Sequence, residues 1–211
     1  MTAENPQGLF DLLDWKRRMF GLYAEVRAWA DPAAAWRRWR DVRHELFHGH
    51  PQSPVPPEDR AAFDGLRYFD YDPAARVLAP LEEAEPERYE IATSGEAGGS
   101  YAFTRFGRAA FELDGRPLAL ELYWLEGYGG GLFVPFRDAT AGGETYGAGR
   151  YLFDTVKGAD LGTAPDGRLV LDFNFAYNPS CAYDPAWVCP LAPRPNRLDL
   201  AIRAGEQTPP K

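Results

Sequence analysis

From residue 66 onward the chain is a succession of short runs of aromatic and β-branched residues separated by Gly, Asp and Pro, and no stretch between the runs repeats with a helical period. Strands that follow one another without crossover helices pair antiparallel, because a parallel connection needs a long crossover. The spacing predicts strands at residues 66–71, 77–82, 88–93, 100–106, 109–113, 118–125, 132–138, 150–155, 169–175 and 198–203. Asp72-Pro73, Gly107, Asp114-Gly115 and Gly142-Gly143 supply turns, and Asp-Gly is a dipeptide favoured in two-residue hairpins. So many consecutive strands point to an antiparallel β-barrel, or a barrel-like sandwich, over residues 51–206.

Ahead of the strands, residues 1–50 read as a helical appendage. Leu9, Leu12, Leu13, Met19, Phe20, Tyr23 and Val26 recur at mostly helical spacing, and Asp31-Pro32 reads as an N-cap followed by proline at the first position of a second helix. That helix stops at Gly49 and Pro51, and its apolar stripe of Trp36, Trp39, Val42, Leu46 and Phe47 suits docking on a sheet. The fold expected is α+β, with two N-terminal helices packed against the barrel as one compact unit. Residues 207–211 read as a disordered tail.

Composition removes several functions. A net charge of -8 argues against a general nucleic-acid binder, whose affinity comes from neutralising phosphates. No run is long and apolar enough to span a membrane, and no basic start followed by an apolar segment marks a secretory signal, so the expected location is cytoplasmic with no membrane partner. The two cysteines, Cys181 and Cys189, are too few for a disulfide framework or a zinc site, and read as free thiols or as a single redox or structural pair.

His44-Glu45-Leu46-Phe47-His48 spells the zincin pattern H-E-x-x-H on a helix. With Trp36 at zero, the apolar stripe spans about 240° to 20°, while the two histidines fall near about 80° and 120°, away from the core. Arg37 and Arg40 share that face and make a poor setting for a dication. No metal and no cofactor are expected. His50, at the helix end, reads as a C-terminal cap, with a position at the barrel rim as the alternative.

Polar groups concentrate instead in residues 131–189. Alternation along strands places Arg137, Arg150, Asp172 and Asn174 on one polar face if Phe136, Tyr151, Phe173 and Phe175 are buried on the other. An Arg–Asp network that neutralises itself is one reading of that face. The other is a ligand site. Arg137 and Arg150 would then grip a carboxylate or phosphate, Asp138, Tyr146, Asp172, Asn174 and Asn178 would hydrogen-bond it, Tyr177 and Trp124 would wall it, and Cys181 would lie beside it.

The runs F-R-D-A-T at residues 136–140, G-x-E-T-Y-G-x-G-R-Y-L at 142–152, D-F-N-x-A-Y-N-P-x-C at 172–181 and C-P-L-x-P-x-x-N-R-L at 189–198 together resemble the bacterial domain of unknown function 1684. The resemblance extends from about residue 36 to 206. It covers the counterparts of Glu45 and His50 but not those of His44 and His48, and it implies a single domain without implying any activity.

The function expected from these residues is binding of a small polar or anionic molecule in the barrel mouth. Two alternatives stand beside it. One is a hydrolase using Asp138 or Asp172 as general base, or zinc at His44 and His48. The other is a protein-interaction module on the Arg-rich helix 36–43, which requires an exposed Trp36–Trp39 patch.

Overall fold

Asp31 closes the turn between two helices by accepting hydrogen bonds from the backbone N–H groups of Ala33 and Ala34, with Pro32 at the first helical position. The computed structural model describes residues 6–95 and 99–210. Helix α1 spans Pro6–Ala28 and α2 spans Pro32–Gly49. His50 caps α2 as expected: its N–H donates to the Leu46 carbonyl, and its ring turns back to Asp14 of α1 at 3.2 Å. α2 buries Ala35, Trp36, Trp39, Arg43, Leu46 and Phe47, the stripe that helical spacing predicts together with one arginine. Trp36 and Trp39 are inside, so the exposed patch that an interaction module on this helix requires is not there.

Five strands form an open antiparallel meander: β2 (Leu81–Ala92), β3 (Ser100–Leu113), β4 (Arg116–Leu125), β5 (Gly131–Phe136) and β6 (Arg150–Asp154), paired in that order. β1 (Arg76–Ala79) pairs instead with β7 (Leu169–Asp172) in a separate two-stranded sheet. Asp114 and Gly115, at φ +52° and +67°, make the β3–β4 turn that their identities predict. Gly107 does not divide two strands, because β3 runs through it. A Cβ there would lie 3.1 Å from the Glu82 carbonyl oxygen of β2, a crowded approach that glycine relieves.

The expected barrel does not close. Closure would need β2 to meet β6, but β2 carries Glu82, Glu83, Glu85, Glu87 and Glu90 on a mostly exposed edge, where charge opposes pairing. The far side of β6 is taken by Tyr177 opposite Tyr151 and by Ala159 opposite Asp154. Two predicted strands are also absent. Residues 66–71 make a single bridge, Tyr68 to Glu206, so β1 has no hairpin partner there. Residues 198–203 form no strand and bend at Asp199 and Leu200.

One face of the sheet meets α2, β1 and β7 over a core that includes Trp36, Trp39, Phe136, Leu152, Phe173 and Phe175. Truncating one of these large side chains to alanine costs about 3–5 kcal/mol. A smaller cluster of Ile91, Phe103, Tyr123, Phe133 and Tyr151 lies apart from it. No described helix is long and apolar enough to cross a membrane.

Candidate functional site

The C-terminal segment threads past the sheet, held by isolated backbone bonds at Arg137 and Ala139 and, over residues 202–206, by buried side chains. The Arg150 guanidinium donates to the carbonyls of Ala204, Ile202 (3.0 Å) and Glu206 (3.2 Å) and lies 3.4 Å from Asp138. Asp138 in turn accepts from Ile202 N–H at 2.7 Å and from the Thr140 hydroxyl. Both side chains are almost fully buried, and burial lowers the Arg150 pKa despite Asp138. Arg150 and Asp138, read from the sequence as ligand holders, thus clasp the chain's own terminus.

Glu206 completes that anchorage. Its carboxylate accepts from Arg43 Nη2 at 2.5 Å, the Tyr68 and Tyr183 hydroxyls at 3.2 and 3.1 Å, and Asn178 N–H at 2.7 Å. Burial, reinforced by the Glu206 charge, raises both tyrosine pKa values and keeps the two hydroxyls as donors. Arg43 stacks on Trp39, Phe47 and Tyr177. Neither Arg43 nor Glu206 was singled out from the sequence. One signal was available: at about 340° on the same wheel, Arg43 lies inside the apolar stripe. Beyond Glu206, Gln207 N–H donates to the Arg67 carbonyl and Thr208 N–H to the Glu144 carbonyl.

Asp172 and Asn174 sit elsewhere, on β7 and the 3₁₀ turn after it. Asp172 of β7 opposes Arg76 of β1 while Arg150 of β6 opposes Phe136 of β5, so the single polar face expected for Arg137, Arg150, Asp172 and Asn174 is divided between two sheets. Asn174 is fully engaged: it bonds Asp72 N–H and C=O and Asp172 Oδ1. Its own carbonyl receives the Trp36 indole N–H at 2.9 Å.

Asp172 also borders a cleft of about 360 Å³ between the α1–α2 turn, the β1–β7 pair and the loop before β7. Val26, Trp29, Leu78 and Leu161 give it apolar walls, and Arg27, Arg76, Thr163 and Asp172 are its polar groups. Burial raises the Asp172 pKa to about 6, although Asn174 and Arg76 act in the opposite direction. Arg76 Nε stands 3.6 Å from Asp172 Oδ2, and a third of its side chain is exposed. Among the described residues that loose ion pair is the only polar partner of the Arg76 side chain. Arg27 reaches Asp160 O at 2.6 Å. Of the ligand-site candidates named from the sequence, Asp172 alone lines this cleft. Arg76 was missed because the turn at Asp72-Pro73 reads as a hairpin, which would place Arg76 at its rim.

The remaining candidates scatter. Arg137 bonds through its backbone to Asn196 and Leu198, with its side chain half-buried. Tyr177 lies under Arg43, and Asn178 donates to Gln207 O. Trp124 is exposed on β4. Tyr146 and Cys181 do meet, with the hydroxyl 3.7 Å from the sulfur. On α2, the His44 and His48 rings meet tilted at 59° with centroids 4.6 Å apart, His48 also meets Phe63, and Gly65 approaches the His44 ring. Among the described residues no group of three or more His, Cys, Asp or Glu side chains is placed to hold a metal ion.

The architecture defines an α+β protein with open antiparallel sheets, closed by ion pairs to its own C-terminal segment rather than by barrel formation. Residues 61–207 match the family described as Protein of unknown function (DUF1684), more than half of the chain, and the protein belongs to that family. Among solved structures it is similar to the solution NMR structure of the uncharacterized protein from gene locus rrnAC0354 of Haloarcula marismortui. The two are 38% identical with a TM-score of 0.60, over 83% of this chain and 93% of that one. No curated protein matches the sequence.

Proposed function

We propose that the protein binds a small organic anion in the cleft between the helices and the β1–β7 pair. The observation that carries this reading is Arg76, a half-buried guanidinium with unspent donors beside a buried carboxyl and apolar walls. A guanidinium grips a carboxylate or phosphate with two parallel hydrogen bonds, and the surrounding apolar surface excludes water and favours a ligand with a hydrocarbon or aromatic part.

Asp172 gives the site a proton dependence. An anion on Arg76 sits close to Asp172 and opposes its ionisation, so binding drives proton uptake by a carboxyl that already titrates near about 6. Once neutral, it donates a hydrogen bond to the ligand. The same pKa favours a second reading, in which Asp172 acts as a general base on the bound molecule. A thermal-shift screen of carboxylates, sugar phosphates and nucleotides, followed by product analysis, tests both. Stabilisation by one class without turnover supports binding, and turnover abolished by Asp172→Asn supports the hydrolase. Stabilisation unchanged by Arg76→Gln removes the cleft from consideration.

A further inference from the structure

Cys181 and Cys189 lie in a different part of the molecule from that cleft, and the proposed binding site makes no use of them. Cys181 is on the 3₁₀ turn Ser180–Ala182, with its carbonyl receiving the Tyr146 hydroxyl at 3.3 Å. Cys189 belongs to an extended stretch stitched to the end of β2. Ser94 N–H donates to Cys189 O at 2.8 Å, Leu191 N–H donates to Ala92 O at 2.9 Å, and Cys189 N–H donates to Ser94 Oγ at 2.9 Å.

These separate anchors bring the two cysteines together around Ser94, whose Oγ receives the Cys189 N–H and which lines the same groove as Cys181 and Val188, the residue next to Cys189. Both thiols are free and buried, but not equivalently. Cys181 borders a groove of about 540 Å³ lined also by Ser94, Gly95, Tyr146, Ala186 and Val188, while Cys189 does not line it and is 2% exposed. One thiol is therefore offered to a reactant, and the other stands behind it.

From this arrangement we infer that Cys181 and Cys189 form a thiol–disulfide exchange site, with Cys181 as the attacking thiol, Cys189 as the resolving thiol, and a low-molecular-mass disulfide in the groove as the reactant.

The electrostatics agree with that order. The Cys189 thiol, together with the Ser94 and Tyr146 hydroxyls, lowers the Cys181 pKa against the effect of burial. Cys189, beside a sulfur that is becoming anionic, is raised. Tyr146, Tyr151 and Lys157 are the other titratable groups acting on the pair. The thiolate is the nucleophile, so Cys181 reacts first.

In the first step the Cys181 thiolate attacks one sulfur of the disulfide RSSR, whose S–S bond breaks. RS⁻ leaves and takes up the proton Cys181 released, and a mixed disulfide Cys181–S–SR remains. In the second step Cys189, giving its proton to the second leaving group, attacks the Cys181 sulfur and releases RSH. The protein loses two electrons and two protons, and one disulfide becomes two thiols.

The test uses the reduced full-length chain and oxidised glutathione, followed by intact-mass and peptide mass spectrometry under native conditions. Wild type is expected to lose two hydrogens and carry a Cys181–Cys189 link with no retained glutathione. Cys189→Ser is expected to stop with one glutathione on Cys181, and Cys181→Ser to react slower by about tenfold or more. Peptide mapping of wild type decides the pairing even if a variant folds poorly. The inference is overturned if wild type accumulates a glutathione adduct without closing, if Cys189 is modified first, or if modification appears only in denaturant.

Discussion

Glu206→Gln isolates the contribution of the C-terminal anchorage. The side chain is 1% exposed and serves two donors on each oxygen: Arg43 and Tyr68 on Oε1, Asn178 N–H and Tyr183 on Oε2. An amide has one acceptor oxygen. Whichever way it is turned, its NH₂ group faces either Arg43 and Tyr68 or Asn178 N–H and Tyr183, and the Arg43 guanidinium, 3% exposed, loses its counter-charge. Breaking a buried pair by removing one partner costs about 3–5 kcal/mol. With a urea slope near about 2 kcal/mol/M, the midpoint of unfolding should fall by roughly 2 M. The double variant Arg43→Met, Glu206→Leu removes both charges and keeps apolar volume, and it should recover most of the loss. A midpoint shift below about 0.5 M for Glu206→Gln, or a double variant as unstable as the single, would show that no desolvated charge is at stake there.

Two further outcomes follow from buried groups. Asp172 titrates near about 6 in the fold against 3.8 unfolded, so the native state holds the extra proton between those values. Its stabilising effect is complete below about pH 4 and is lost as pH rises through about 6, a change of roughly 3 kcal/mol, so Asp172→Asn should gain stability relative to wild type on going from pH 4.5 to 7.5 in paired urea titrations. A constant difference across that range would contradict the shift. Asn196 is fully buried and joins Glu121 N–H, Glu121 C=O and Pro135 C=O at 2.8, 3.0 and 2.7 Å, so Asn196→Ala should cost about 3 kcal/mol in the same assay, and a loss under about 1 kcal/mol would mean water replaces the amide.

What the sequence made legible follows from where the physics is local. Asp31-Pro32 and Gly49 bracket α2 because caps and breakers act on adjacent backbone, and Asp114-Gly115 marks its hairpin for the same reason. Alternation marked most of the strands, though not the absence of strands at residues 66–71 and 198–203, and pairing beyond a local hairpin was not readable. β1 finds β7 across some ninety residues, and the failure of β2 to meet β6 depends on edge charge and on what else covers β6. Arg137, Arg150 and Asp138 look alike in sequence whether they serve a ligand or the chain itself. The carbonyls of residues 202–206 that Arg150 binds carry no residue-type signature. Asp172 was read from the sequence onto a face shared with Arg150 and instead borders the cleft beside β1 and β7, and Arg76 acquires its importance only from the β1–β7 register that sets it opposite Asp172.

The central claim is that an anion binds at Arg76 with Asp172 taking up a proton, and calorimetric titration of the stabilising ligand in two buffers of different ionisation enthalpy tests it directly. The account predicts proton uptake at pH 7, tighter binding as pH falls toward about 6, uptake abolished in Asp172→Asn and binding lost in Arg76→Gln. Binding that is indifferent to both substitutions, or that proceeds with no proton uptake in wild type, would contradict it.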